Sequence, residues 1–324
     1  MQRLSLALVI VLGWVGLGQA APLDVKHVCA HAKWVAHLDV DAVRDSAVVQ
    51  KAYDACMKKH PEAAKAFDMA KVMIGMDLRK DLHGITAYGP QICKPIGIVI
   101  IQADMDQKSL EDKAKLGPDY MLTTYGNFKL HSWTHKKGDK QMHATGAFFS
   151  PKVLVFGGSV EQVKGALDVL SGKNANLGGK SKVLGADIPA GATFVHRAID
   201  LSANTKCPVL KQAESFQAAM GENKGESFYQ ARIVMKTGDA AENAKAAIEG
   251  FKGLAALSTA LEPDTAKLVS GLKVTREDKT VVVKWSASAD AVWAQIVKTV
   301  KKLEECKAKG QCPWMKHKAE HKKK

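Results

Sequence analysis

The sequence lacks a second long apolar run, and it lacks the short motifs that identify common enzyme classes. After the first 20 of its 324 residues, no apolar stretch reaches the roughly 18 residues that a membrane-spanning helix needs. No Gly-x-Ser-x-Gly motif is present, and the junction Phe156-Gly157-Gly158-Ser159 lacks the Lys-Ser/Thr ending of a P-loop. The sequence therefore predicts no catalytic residue, no cofactor and no transmembrane segment after processing.

The first 20 residues have the pattern of a cleavable signal peptide. Arg3 supplies a positive charge, Leu4 to Leu17 form an apolar run, and Gly18-Gln19-Ala20 forms a small-x-small cleavage site. No cysteine follows that site, so a lipid anchor is not expected. We expect an exported protein, periplasmic or secreted, whose mature chain begins near Ala21.

Positive charge is in excess and unevenly placed. Lysine and arginine number 47 against 33 acidic residues, and residues 301–324 alone hold nine lysines and three glutamates. A basic surface attracts anionic polymers and lipid headgroups through long-range fields. We therefore expect an anionic envelope polymer or a lipid surface as partner of the basic tail, residues 304–324, with a merely solubilising tail as the alternative. Nucleic acid is not expected outside the cytoplasm.

The six cysteines of the chain are free to pair if the protein is exported, because disulfides persist in oxidising compartments. Six cysteines allow about 15 connectivities, so spacing alone does not fix the pairing. Cys306 and Cys312 are the local candidate, because Gly310 between them allows the chain to turn back. A disulfide between these two residues is predicted.

Strand and helix patterns alternate along the mature chain in a way typical of α+β proteins. A cluster of glycines and a proline in residues 171–191 separates two such stretches and resembles a connector. We predict two tandem units, each an antiparallel sheet with helices packed on one face. Their expected bounds are residues 21–175 for the first unit, 176–190 for the connector and 191–303 for the second, shorter unit.

Three strand-to-helix junctions recur in the same order in both units, which predicts an internal duplication. The strand ending at Asp41 corresponds to the strand ending at Ser202. In the same way, residues 97–103 correspond to 229–235, and residues 153–156 correspond to 281–285.

The segments Ile248-Glu249-Gly250-Phe251-Lys252-Gly253-Leu254 and Val281-Val282-Val283-Lys284-Trp285-Ser286 give the chain a wider resemblance. In these packing patterns it is similar to uncharacterised exported bacterial proteins built from two tandem α+β units. The resemblance covers most of the mature chain. It implies a fold and no activity.

Histidines on a predicted hairpin are the first candidates for a metal site. His131 and His135 share one face of a strand, and His143 follows the turn. If the turn centres on residues 137–139, His143 lies opposite Trp133 and diagonal to both histidines. His131 and His135 are about 13 Å apart along a strand, so an ion would need His143, one of them and a further ligand. A one-residue change of register would move His143 to the other face, and a plain polar face is the alternative.

Two further groups contain metal-ligating residue types. The tail spacing Cys306-x5-Cys312-x4-His317-x3-His321 has the ligand types of a zinc site, although a disulfide competes for its sulfurs. His27, Cys29 and His31 near the mature N-terminus form the second group, for which an ordinary terminal segment is the alternative.

These observations favour a non-enzymatic exported protein with a binding or structural role at the cell envelope. A metal-binding protein or metalloenzyme that uses the hairpin histidines is the alternative. A structural envelope component would instead show a large apolar patch on one sheet and form oligomers.

Overall fold

A computed structural model of the protein describes residues 22–91, 97–138, 140–178, 181–201, 211–257 and 263–308. The predicted signal peptide, Cys312 and the tail histidines lie outside these ranges. The predicted disulfide and tail zinc site therefore stay predictions.

Within the described residues, twelve strands form one antiparallel sheet in the order β11-β12-β10-β9-β8-β1-β2-β3-β7-β6-β5-β4. The strands are β1 (Trp34–Asp39), β2 (Leu82–Gly89), β3 (Ile98–Ala103), β4 (Met121–Tyr125), β5 (Phe128–Lys137), β6 (Lys140–Ser150), β7 (Val153–Gly157), β8 (Ala192–Ile199), β9 (Ala213–Asn223), β10 (Glu226–Met235), β11 (Lys273–Glu277) and β12 (Thr280–Ser288).

Eight α-helices are present among the described residues, and three of them begin directly after capping residues that the sequence suggests. They are α1 (Val40–Asp45), α2 (Ala47–Lys59), α3 (Glu62–Ile74), α4 (Gln107–Ala114), α5 (Val160–Leu170), α6 (Gly238–Leu257), α7 (Pro263–Ser270) and α8 (Ala289–Ala308). Asp106, Ser159 and Ser288 each accept a hydrogen bond from a first-turn amide of the helix that follows. Ser46 separates α1 from α2, because it is the C-cap of α1 and its side chain caps α2.

The sheet has two faces that differ in what covers them. Successive side chains of a strand point to opposite faces, so we name the face that carries Val35 of β1 the front and the face that carries Trp34 the back. In the half of the sheet from β1 to β4, α5 packs on the front. Val163 and Leu167 of α5 are buried there against Val155 of β7 and Ile100 of β3.

The predicted connector packs on this same front core. Leu177 and Leu184 are almost completely buried with α5, although neighbouring residues of the segment are exposed. An isolated bridge between Cys29 and Asn176 fixes its first residues to the N-terminal segment. The connector therefore covers part of the sheet as well as joining the two halves.

In the half from β8 to β11 the main core lies on the back. Ala241 and Ala244 of α6 are buried against Val281 and Val283 of β12. The α8 helix, which follows β12, packs along α2 instead of across the front of the sheet. Ion pairs of Lys51 with Asp290 and of Lys59 with Glu304 join these two helices.

The predicted α+β class with antiparallel pairing is confirmed. The strands form one continuous sheet where one sheet per unit was expected, because β1 pairs directly with β8. The three predicted repeats occupy equal positions counted outward from that central pair, with β1 and β8 first, β3 and β10 third, and β7 and β12 fourth. The unit bounds and the duplication itself stay predictions.

Candidate binding groove on the open sheet face

The front of the half from β8 to β11 carries a groove that none of the described helices covers. Two adjoining hollows of about 190 and 400 Å³ share Pro189, Gln230 and Lys284 in their walls. The last residues of the predicted connector, Asp187 to Ala190, form one side. The groove is open because α8 leaves the sheet after β12. In the other half α5, which follows β7, covers the front of the sheet.

Two rows of front-face side chains cross the strands in register. One row runs from Arg197 of β8 through Gln217 of β9 to Arg232 of β10. The neighbouring row runs from Gln230 of β10 through Lys284 of β12 and on to β11. Four strand steps of about 4.8 Å separate β8 from β11, so the groove floor is about 19 Å wide across the strands.

Arg197 is the most firmly held cation of the groove. Its side chain is 2% exposed, and its Nη1 and Nη2 donate to the carbonyl oxygens of Leu184 (2.9 Å) and Asp187 (3.0 Å). Burial lowers the pKa of the guanidinium, and the charge of Asp187 opposes that shift. Since both acceptors are backbone carbonyls, the buried charge has no carboxylate hydrogen-bonded to it within the described residues.

Two lysines face each other on the outer strands of the groove. Lys273 of β11 lies directly opposite Lys284 of β12, and both line the larger hollow. The described part of the chain offers neither ammonium a hydrogen bond or an ion pair. Like charges directly opposite each other on neighbouring strands are destabilising unless an anion lies between them.

The remaining polar groups of the groove are mostly uncharged. Arg232 is the fourth cation, at 3.5 Å from Glu277. Gln217 and Gln230 present amides that form no hydrogen bond within the described residues, and Phe228 adds an aromatic ring. Four cations therefore face two carboxylates, those of Asp187 and Glu277, beside amides that can donate and accept.

The structure does not bring the three hairpin histidines together. β5 ends at Lys137 and β6 begins at Lys140, so His143 pairs with Thr134 where pairing with Trp133 was expected. This register places His143 on the front, while His131 and His135 are on the back. His131 is buried and His135 is exposed. Among the described residues, no group of three or more His, Cys, Asp or Glu side chains could hold a metal ion.

The N-terminal candidates are also dispersed. His27 lies 3.6 Å from Asp24, and Cys29 joins the bridge to Asn176. His31 is exposed. The position of Asp41 directly before the first helical pattern suggests that it is the cap, but this is wrong. Asp39 caps α1, and Asp41 lies inside α1, where it bonds Arg44 and His83.

Sequence reasoning did not identify the groove. Its cations come from β8, β10, β11 and β12, and they meet only through pairings between distant parts of the chain. The alternation of polar Gln230 and Arg232 with apolar Ala231 and Ile233 is a usable signal, because it marks a strand with one polar face.

Comparisons with known proteins add little. No family model and no curated protein matches the chain. Among solved structures, crystal form I of TP0453 aligns with a TM-score of 0.44 and 10% identity over 85% of this chain and 97% of that chain. Crystal form III of TP0453 aligns with a TM-score of 0.44 and 9% identity over 86% and 99%. These likenesses are too weak to assign a function, and they do not confirm the resemblance to uncharacterised exported proteins.

A search of the described helices for membrane spans finds none that is long and apolar enough to cross a bilayer.

Proposed function

We propose that the protein is an exported, non-enzymatic binding protein whose basic groove holds a segment of an acidic glycan of the cell envelope. The observation that carries the proposal is the uncovered groove with its four cations, three of which have no carboxylate hydrogen-bonded or ion-paired to them within the described residues. An anionic chain would supply the missing counter-charges.

The mixture of groups favours a glycan over other polyanions. Carboxylates of a glycan suit the lysines and arginines, because charge-assisted hydrogen bonds are stronger than neutral ones. Sugar hydroxyls both donate and accept, which suits the side-chain amides of Gln217 and Gln230. The ring of Phe228 offers an apolar surface beside them.

The shape of the groove favours a chain over a flat lipid surface. Arg197 is buried beside the wall formed by Asp187 and Pro189, where a planar array of headgroups does not reach. The basic tail, residues 304–324, would add attraction that does not depend on ligand shape.

The test is isothermal titration calorimetry of the mature chain with tetragalacturonate, an acidic tetrasaccharide. We expect saturable binding that weakens as salt is added, because exposed charges are screened. Neutral galactotetraose should not bind, and vesicles of phosphatidylglycerol should not compete. Competition by vesicles, or equal binding of the neutral sugar, would overturn the proposal.

Matched variants locate the site. The double substitution Lys273→Gln and Lys284→Gln should weaken binding about thirtyfold, since each of the two lost charge-assisted contacts costs on the order of 1 kcal/mol. Lys236→Gln with Lys279→Gln removes the same charge from exposed residues outside the groove and should change affinity little. Equal losses in both pairs would assign binding to overall charge instead of the groove.

A further inference from the structure

A second cavity lies on the back of the other half of the sheet. His131, which is not part of the basic groove, contributes to its wall. The volume of the cavity is about 270 Å³, and it is bounded by α4, the turn after α4, and the back faces of β5, β6 and β7. The lining is mainly apolar, with three aromatic side chains, and comprises Leu110, Glu111, Lys113, Ala114, Gly117, His131, Trp133, Gly146, Phe148, Leu154 and Phe156.

Two glycines keep the wall of this cavity flat. A Cβ on Gly146 would lie 2.7 Å from the Phe156 ring, and one on Gly117 would lie 2.9 Å from the Cβ of Trp133. Trp133 and Phe156 pack edge to face with ring centroids 6.2 Å apart. The aromatic rings therefore line the space closely, and their faces are suited to a compact apolar guest.

Apart from the indole N–H of Trp133, the side chain of His131 is the one uncharged polar group of the lining. It is 4% exposed, and its Nδ1 bonds the hydroxyl of Tyr120 at 2.9 Å. Its Nε2 is buried and has no hydrogen-bond partner among the residues that the structure describes. Such a group costs free energy unless a partner is provided, so each case in a native protein calls for an explanation.

The charged residues of the lining are already engaged. Lys113 Nζ donates to the carbonyl oxygen of Val72 at 2.9 Å, and Glu111 accepts from Gln107 at 2.6 Å. Desolvation lowers the pKa of His131, which keeps the ring neutral near pH 7. The cavity therefore offers an anion no free cation and places a carboxylate near it.

We propose that this cavity binds a small, uncharged, largely apolar molecule that carries one hydroxyl group, with the hydroxyl on Nε2 of His131. A hydroxyl both donates and accepts, so it can form a hydrogen bond with Nε2 whichever ring nitrogen holds the proton. Leu116 and Leu122, which are 84% and 49% exposed beside the cavity, provide an apolar rim for such a ligand.

Three probes of similar size test the proposal on the mature chain. 4-Ethylphenol carries the hydroxyl, ethylbenzene lacks it, and 4-ethylbenzoate is charged. We expect calorimetry to show saturable binding of 4-ethylphenol, about tenfold weaker binding of ethylbenzene, and weaker binding still of the benzoate. The ¹⁵N resonance of His131 Nε2 should shift on addition of 4-ethylphenol. Equal affinity for the first two probes, or tightest binding of the benzoate, would overturn the proposal.

Variants separate the cavity from other binding surfaces. His131→Phe keeps a ring but removes Nε2, so it should abolish the preference for 4-ethylphenol over ethylbenzene. Ala114→Leu places a larger side chain of α4 in the cavity and should weaken the binding of both probes. His135→Gln, on the same strand but exposed, is the matched control and should leave both affinities unchanged. An unchanged preference in His131→Phe would contradict the assignment even if Ala114→Leu fails to fold.

Discussion

The two halves of the sheet have the same strand order from the centre for four strands, yet the helix that follows the fourth strand behaves differently in each. After β7, α5 crosses the front of the sheet and buries Val163 and Leu167. After β12, α8 leaves the sheet and packs along α2. One half therefore has a closed front, and the other has an open front lined by cations.

The difference shows that the same strand order can support a hydrophobic core on one half of the sheet and a candidate binding groove on the other. The closed front is built from aliphatic side chains of β1, β3 and β7. The corresponding positions of β8, β10 and β12 carry Arg197, Arg232 and Lys284. Arg232 and Lys284 are exposed, and a helix like α5 could not cover them without removing their charges from water, which is costly for unpaired ions.

The largest expected change in stability comes from comparing how much α5 and α8 each contribute to the free energy of unfolding. Leu167→Ala in α5 removes a fully buried side chain, so we expect the free energy of unfolding to fall by about 3 kcal/mol. Leu303→Ala in α8 removes a side chain that is 42% exposed and should change it by less than about 1 kcal/mol. Urea unfolding followed by circular dichroism measures both. Similar losses would mean that α8 packs on the sheet in solution.

Several parts of this architecture could be predicted from the sequence because they depend on neighbouring residues. Ser159 before α5 and Ser288 before α8 are capping signals, and both cap their helices. The hairpin register was wrong by one residue, because the turn begins after Lys137 and Gly138 takes a φ of 62°.

What could not be predicted depends on contacts between distant segments. The position of α8 is an example, because its Val297, Val300 and Leu303 have the spacing of a helix that faces a core. All three are exposed. Ion pairs with α2, more than 230 residues away in the sequence, accompany its actual position. The cavity at His131 likewise needs α4 to lie over three strands, which no local pattern specifies.

An effect of intermediate size is expected for the pH dependence of the free energy of unfolding, to which one histidine from each half contributes. Desolvation lowers the pKa of His131 in the first half and of His196 in the second. The unfolded chain then binds protons more readily than the folded one, so stability is fully present above about pH 6.5 and is lost on acidification below it.

Urea midpoints measured from about pH 7.5 down to about 5.5 should therefore decrease in the wild-type protein. His131→Gln and His196→Gln should each reduce the slope of that decrease, whereas His135→Gln, at an exposed position, should leave it unchanged. A slope unaffected by both buried-site variants would show that these rings are not desolvated in the folded protein.

The smallest expected change in stability concerns the ion pairs between α2 and α8, the helix that packs along α2 instead of across the sheet. Lys51 and Lys59 of α2 pair with Asp290 and Glu304, and all four side chains are at least 42% exposed. Exposed ion pairs contribute roughly 0 to 1 kcal/mol each, so replacing both lysines with methionine should barely change the free energy of unfolding. Hydrogen exchange should nevertheless become faster at the α8 amides, while α5 remains protected as the internal control. If α8 exchange does not change, apolar packing between α2 and α8 holds the helix away from the groove, and the ion pairs are incidental to its position.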